Sequence, residues 1–187
     1  ARGGGFLNIE NAKMTDEERN KSLNLLKNLL QRISSERSEL LKTFSKRELS
    51  IIERGIISAL NSEESQYYFA KYLLTKDISF SIKFNIERDK AMAENFIWLM
   101  KEMYPDQKII IWAATAHLTR NTSTIQSVDG NLDYKETVQM GDHLFKELKN
   151  DLYTIAFTTN SGELGANYTD NRKPSVQPLK NAPNDSF

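Results

Sequence analysis

The sequence contains no cysteine. That absence excludes disulfide frameworks, thiol nucleophiles and cysteine-ligated zinc or iron–sulfur centres, and it leaves the compartment open. Charge of a single sign is also missing, since 25 Lys and Arg stand against 25 Asp and Glu, for a formal net charge of +0. A generally cationic nucleic-acid binder and a polybasic membrane-surface protein are therefore not expected. No apolar run approaches the roughly 18–20 residues that span a bilayer, so no membrane partner is expected. Histidine is scarce, with 2 in 187 residues, and the two are too far apart in sequence for a recognisable metal-ligand spacing. Neither a metal nor a cofactor is expected. Gly3-Gly4-Gly5 lacks the strand–glycine–helix context and the Lys-Ser/Thr of a phosphate loop, and there is no Gly-x-Ser-x-Gly elbow. The chain opens with neither an initiator Met nor a signal-peptide core, which reads as a cut or processed end. With no targeting segment, cytoplasmic and periplasmic locations stay open, and so does the oligomeric state.

What is present suffices for a core: 39% of residues are hydrophobic and 27% charged, which argues against disorder throughout. The length corresponds to about one domain. Thr15 with Glu18 forms a capping box ahead of Leu23, Leu26, Leu30 and Ile33 at helical spacing. Ser45 with Glu48 opens a second helix, with Leu49, Ile52, Ile56 and Leu60 expected inward. A third helix is expected over 63–74. A fourth is expected over 87–103, with Met92, Phe96, Leu99 and Met103 on one side and Pro105 as its stop.

The period then changes. Residues 108–114 form a short, continuous apolar run rich in β-branched side chains, as do 152–158. Such runs are typical of strands buried on both faces. With a short helix between them over 140–150, they predict a βαβ crossover and an α/β fold with helices packed on a mostly parallel sheet. The expected organisation is a helical segment (14–104), a strand–helix–strand segment (108–160) and an irregular tail (161–187). Two such strands need neighbours, so the chain is expected to be part of a larger α/β layer, unless 6–9 completes a small sheet.

Two constellations carry chemistry. His117 lies just past the first apolar run, where open α/β sheets place their ligands, and histidine titrates near neutrality. The alternative is a structural histidine bonded to a nearby carbonyl. His143, in the first turn of the short helix, suits a solvated or capping role. The second constellation, Glu87-Arg88-Asp89-Lys90, is expected to open the fourth helix. A guanidinium gains nothing from a helix start, so Arg88 is expected to answer to an anion or carboxylate, unless this is only a solvated charged turn.

Arg88-Asp89-x-x-Met92-Ala93-Glu94-Asn95, Ile110-Ile111-Trp112-Ala113-x-x-Ala116-His117, Met140-Gly141-x-x-Leu144 and Tyr153-x-Ile155-x-Phe157 together resemble the erythromycin esterase family. The resemblance implies an α/β fold and metal-independent hydrolysis of a macrolide lactone ester. In that chemistry histidine is general base on water, and acidic and arginine residues orient and stabilise charge. By position it assigns catalytic roles to His117 and Arg88 and substrate binding to Glu94 and Thr115. Ala114 stands where the family pattern has its first histidine, and Thr115 where it has asparagine. The family also places a histidine and a glutamate in an N-terminal half, so this chain resembles a middle-to-C-terminal portion and is expected to be inactive alone. The implied partner is a small-molecule ester or lactone. Two other readings stay open. One is a non-catalytic small-molecule-binding homologue; the other is a helical interaction module.

Overall fold

The computed structural model describes residues 15–125, 136–155, 163–168 and 174–178. The chain divides into two units, Ala1–Tyr153 and Thr154–Phe187.

The described part of the first unit is built from helices. Helix α1 (Asp16–Ser35) starts where the sequence places its cap: the Glu18 N–H donates to Thr15 Oγ1 at 3.2 Å, and the Thr15 N–H donates back to the Glu18 carboxylate at 2.9 Å. After the short α2 (Arg37–Leu40), Ser45 and Glu48 repeat this reciprocal cap for α3 (Lys46–Thr75). The expected second and third helices are thus one helix: Asn61 and Ser62, which read as a cap, lie in its interior, and Asn61 Nδ2 donates to Glu94 of the next helix at 3.5 Å. Ile52, expected inward, lies exposed, while Leu49, Ile56 and Ala70 are buried.

Lys76 adopts a left-handed conformation (φ 60°) that ends α3, and Asp77 caps α4 (Ile78–Trp98) by accepting the Ser79 N–H at 2.9 Å. α4 therefore begins well before position 87, and Arg88 and Asp89 sit in its interior, not at its start. The two-residue link folds α3 and α4 into a helical hairpin. Trp98 Nε1 donates to Ser50 Oγ across it at 3.1 Å. A π-helical turn over Leu99–Met103 ends α4, with the Tyr104 N–H reaching the Leu99 carbonyl at 2.9 Å. The extra residue in that turn rotates Leu99 out to solvent while Met103 stays buried. Among the described residues no helix is long and apolar enough to cross a membrane.

Among the described residues the α/β arrangement is not found. Residues 108–114 are extended but belong to no sheet. The chain lies on the helices: Ile111 and Ala113 pack against the buried cluster Ala93, Met140 and Leu144, while Ile110 and Trp112 point outward, 91% and 88% exposed. Leu152 and Tyr153 repeat the pattern, Leu152 packed on the cluster and Tyr153 outward. A strand buried on both faces needs cover on both; here helices cover one. Residues 6–9 and 156–158, the other expected strand positions, lie outside the described residues.

Two short helices complete the first unit, α5 (Thr115–Leu118) and α6 (Met140–Leu148). In the second unit β1 (Glu163–Tyr168) pairs antiparallel with β2 (Pro174–Pro178), Leu164 facing Gln177. This pair falls in the stretch read from sequence as irregular. Proline lacks an amide donor, which suits the ends of an edge strand such as β2.

Candidate functional site

Asp89 is the centre of the candidate site. It is fully buried at 0% exposure, which a carboxylate tolerates only when its lone pairs are occupied. Here three partners occupy them. His117 Nδ1 lies 3.0 Å from Oδ1 and 2.9 Å from Oδ2. The Met140 backbone N–H donates to Oδ2 at 3.1 Å. Arg88 donates to Oδ1 through Nε at 3.4 Å and Nη2 at 3.3 Å. One carboxylate thus joins α4, α5 and the start of α6.

Facing a carboxylate, His117 Nδ1 carries the proton, which leaves Nε2 as the lone-pair nitrogen. The His117 side chain is 25% exposed and that of Arg88 37%. A partly exposed imidazole oriented by a buried acid, with a guanidinium beside the same acid, is suited to accepting a proton from a bound molecule.

The local sequence explains how the segments come so close. α5 is a single turn in which the His117 N–H donates to the Ala114 carbonyl at 2.9 Å and Thr119 bonds back to the Thr115 carbonyl. Its end runs directly against Gly141 of α6. A Cβ at Gly141 would lie 2.3 Å from the Leu118 carbonyl oxygen and 2.6 Å from that of Thr119. Only glycine admits this approach, and α6 is thereby seated so that Met140 reaches Asp89. Asp142 secures the same end, accepting the Asn121 N–H at 2.7 Å and the Gln139 N–H at 3.2 Å. Asn121 adopts a positive φ of 56° to make that turn. Thr122, buried, donates to the Thr137 carbonyl at 2.8 Å.

Of the four residues expected in the site, His117 and Arg88 come together through Asp89. Thr115 is exposed at the first position of α5, two residues from His117. Glu94 is elsewhere. Five residues after Asp89, it projects about 140° around the helix, toward α3, where Arg54 Nη2 lies 4.0 Å away and Asn61 Nδ2 donates at 3.5 Å. Asn95 turns the same way, accepting from Arg54 Nε and, at 3.0 Å, from Ser58 Oγ. Burial pulls the Arg54 pKa below its ordinary value, and the Glu94 carboxylate opposes that shift. The segment 88–95 therefore serves two faces of α4, with Asp89 and the buried Ala93 toward α5 and α6.

His143 is half-buried, and its Nε2 is enclosed without a hydrogen-bond partner among the described residues; Asp142, not His143, contributes a side-chain cap at the start of α6. Sequence reasoning missed Asp89, Met140 and Gly141 as site residues. The signal that would have found Asp89 is Asp77 as the true cap of α4, which moves Asp89 away from the helix start that would favour it and onto the face it shares with Ala93 and Phe96. Among the described residues no group of three or more His, Cys, Asp or Glu side chains is arranged to hold a metal ion.

The fold and site together define a helical protein carrying a buried acid–histidine pair with an adjacent arginine. The family model described as erythromycin esterase matches residues 8–187, and the chain belongs to that family. A Bacillus subtilis (strain 168) protein named "Putative hydrolase YbfO" is 36% identical over 102 residues, 51% of this chain and 20% of the relative. The chain thus spans about a fifth of the length of that curated relative. No solved structure matches the chain.

Proposed function

We propose that this chain contributes part of the site of a hydrolase that cleaves an ester or lactone of a small molecule by histidine-assisted attack of water. The observation that carries the reading is the 2.9 Å contact between His117 Nδ1 and the buried Asp89 carboxylate. It fixes the ring and leaves Nε2 to act as general base. In the proposed step Nε2 takes a proton from water as the water oxygen attacks the carbonyl carbon. The carbonyl electrons move to oxygen, and the Arg88 guanidinium stabilises that negative charge. Collapse of the tetrahedral species breaks the C–O bond, and the leaving alkoxide recovers the proton from Nε2. Thr115, exposed at the start of α5, is assigned to substrate binding. Glu94 reaches a substrate only from the α3–α4 face, beside Arg54 and Asn61.

The test is to incubate the protein with macrolides and simple esters and to follow products by mass spectrometry. Addition of one water to a substrate, lost in His117→Ala and strongly reduced in Arg88→Gln, supports the reading. Hydrolysis undiminished by His117→Ala overturns it. A second reading, a small-molecule binder without hydrolysis, is favoured by Ala114, which stands where the family pattern has a histidine. Saturable binding with no product in the same samples selects it.

A further inference from the structure

The Arg88 guanidinium needs more than Asp89 to hold it. Adjacent residues on a helix project about 100° apart, and the Arg88–Asp89 contacts, at 3.3 and 3.4 Å, are at the long end of hydrogen bonding. A second support lies one turn earlier. The Phe84 ring centroid is 4.9 Å from Arg88 Cζ, within the range of a cation–π contact, and positions 84 and 88 share a helix face. Phe84 is itself fixed from across the hairpin: its ring meets Phe69 of α3 at 4.8 Å between centroids, tilted by 38°. Phe69 in turn lies 6.4 Å from the Tyr72 ring. A line of contacts therefore runs from α3 through Phe69, Phe84 and Arg88 to the carboxylate that holds His117.

We propose that Phe84 is a positioning residue of the site: its ring holds the Arg88 guanidinium against Asp89, and so sets the hydrogen bond that His117 Nδ1 donates to Asp89. The proposal rests on the reading of this site as a hydrolytic centre, where an arginine free to swing away would neither shield Asp89 from water nor face a developing oxyanion. A flat apolar ring is suited to the task because it binds the guanidinium face and leaves the N–H edge for the carboxylate.

The test is NMR on the isotope-labelled 187-residue chain, reading rotation about the Arg88 Nε–Cζ bond and solvent exchange of the His117 Nδ1 proton. Phe84→Leu is expected to accelerate both several-fold, and Phe84→Trp to leave both near their starting rates. In an Arg88→Gln background, adding Phe84→Leu is expected to change His117 exchange no further. If Phe84→Leu leaves both rates unchanged, or accelerates His117 exchange equally without Arg88, the proposal is overturned. Should Phe84→Leu not fold, Arg88→Lys keeps the charge but removes the planar face; accelerated His117 exchange supports the proposal, and an unchanged rate overturns it. None of these readings requires turnover. Absence of ester hydrolysis therefore tells against the hydrolase and not against this contact.

Discussion

The carbonyl oxygen of Leu118 lies 2.3 Å from the point a Cβ on Gly141 would occupy. α5 and α6 touch through bare backbone, and this contact lets the Met140 amide and His117 reach one carboxylate. The geometry of the candidate site depends on a position with no side chain at all.

Gly141→Ala is accordingly expected to push α5 and α6 apart. The obstruction is backbone, which cannot rotate away, so a loss of about 1–3 kcal/mol is expected from overpacking. Urea unfolding measures the stability loss, and the His117 Nδ1 proton is expected to exchange faster with solvent. An alanine variant as stable as the parent would show that the helices part without cost.

Asp89→Ala removes the acceptor shared by His117, Met140 and Arg88. Breaking a buried charged contact in this way costs about 3–5 kcal/mol. Asp89→Asn keeps one acceptor oxygen and is expected to lose less. The order Ala worse than Asn, read from denaturant midpoints, is the expected result; equal losses would mean that the negative charge, absent from both variants, carries the contact and that neither the shape nor the remaining oxygen of Asn replaces it.

Acid is expected to weaken the helix caps. The Ser45 backbone N–H and hydroxyl hold the Glu48 carboxyl below its ordinary value of 4.5, and Thr15 does the same for Glu18. A carboxyl with a lowered pKa in the folded state adds stability that is complete above its unfolded value and is lost as pH falls through the folded one. Glu48→Gln cannot titrate. Its thermal midpoint is expected to fall less steeply than that of the parent below that ordinary value, as followed by circular dichroism.

Thr122→Val replaces a buried hydroxyl by a methyl of similar size and removes the donor to the Thr137 carbonyl. A loss of about 1 kcal/mol is expected, read as a shift of the urea midpoint at constant slope. No loss would mean that the bond holds little of the segment between α5 and α6.

Much of the helical frame is legible in the residues. The boxes at Thr15 and Ser45 start α1 and α3 where the spacing says, and Pro105 follows the end of the α4 turn as a stop should. The α4 start is harder to see. Asp77 carries its signal, yet the dense charges of 87–90 imitate a helix opening, and that error disguised Asp89 as a surface acid. The extended runs failed for a different reason. A continuous apolar stretch says that both faces are apolar but not that both are covered, and Ile110 and Trp112 are the uncovered half. Close approach at Gly141 cannot be read at all, since the obstacle is a carbonyl 23 positions earlier (141 − 118 = 23).

The contacts of Asp89 also order events in time. α3 and α4 meet through a two-residue link, so their pairing closes a short loop and forms early. Asp89 must find His117 at a separation of 28 residues and Met140 at 51, and contacts of such span are slow because chain entropy is spent before they return anything. The acid–histidine pair is thus expected to assemble after the α3–α4 hairpin and to open before it. Its hydrogen exchange should report local opening while the helical hairpin remains intact.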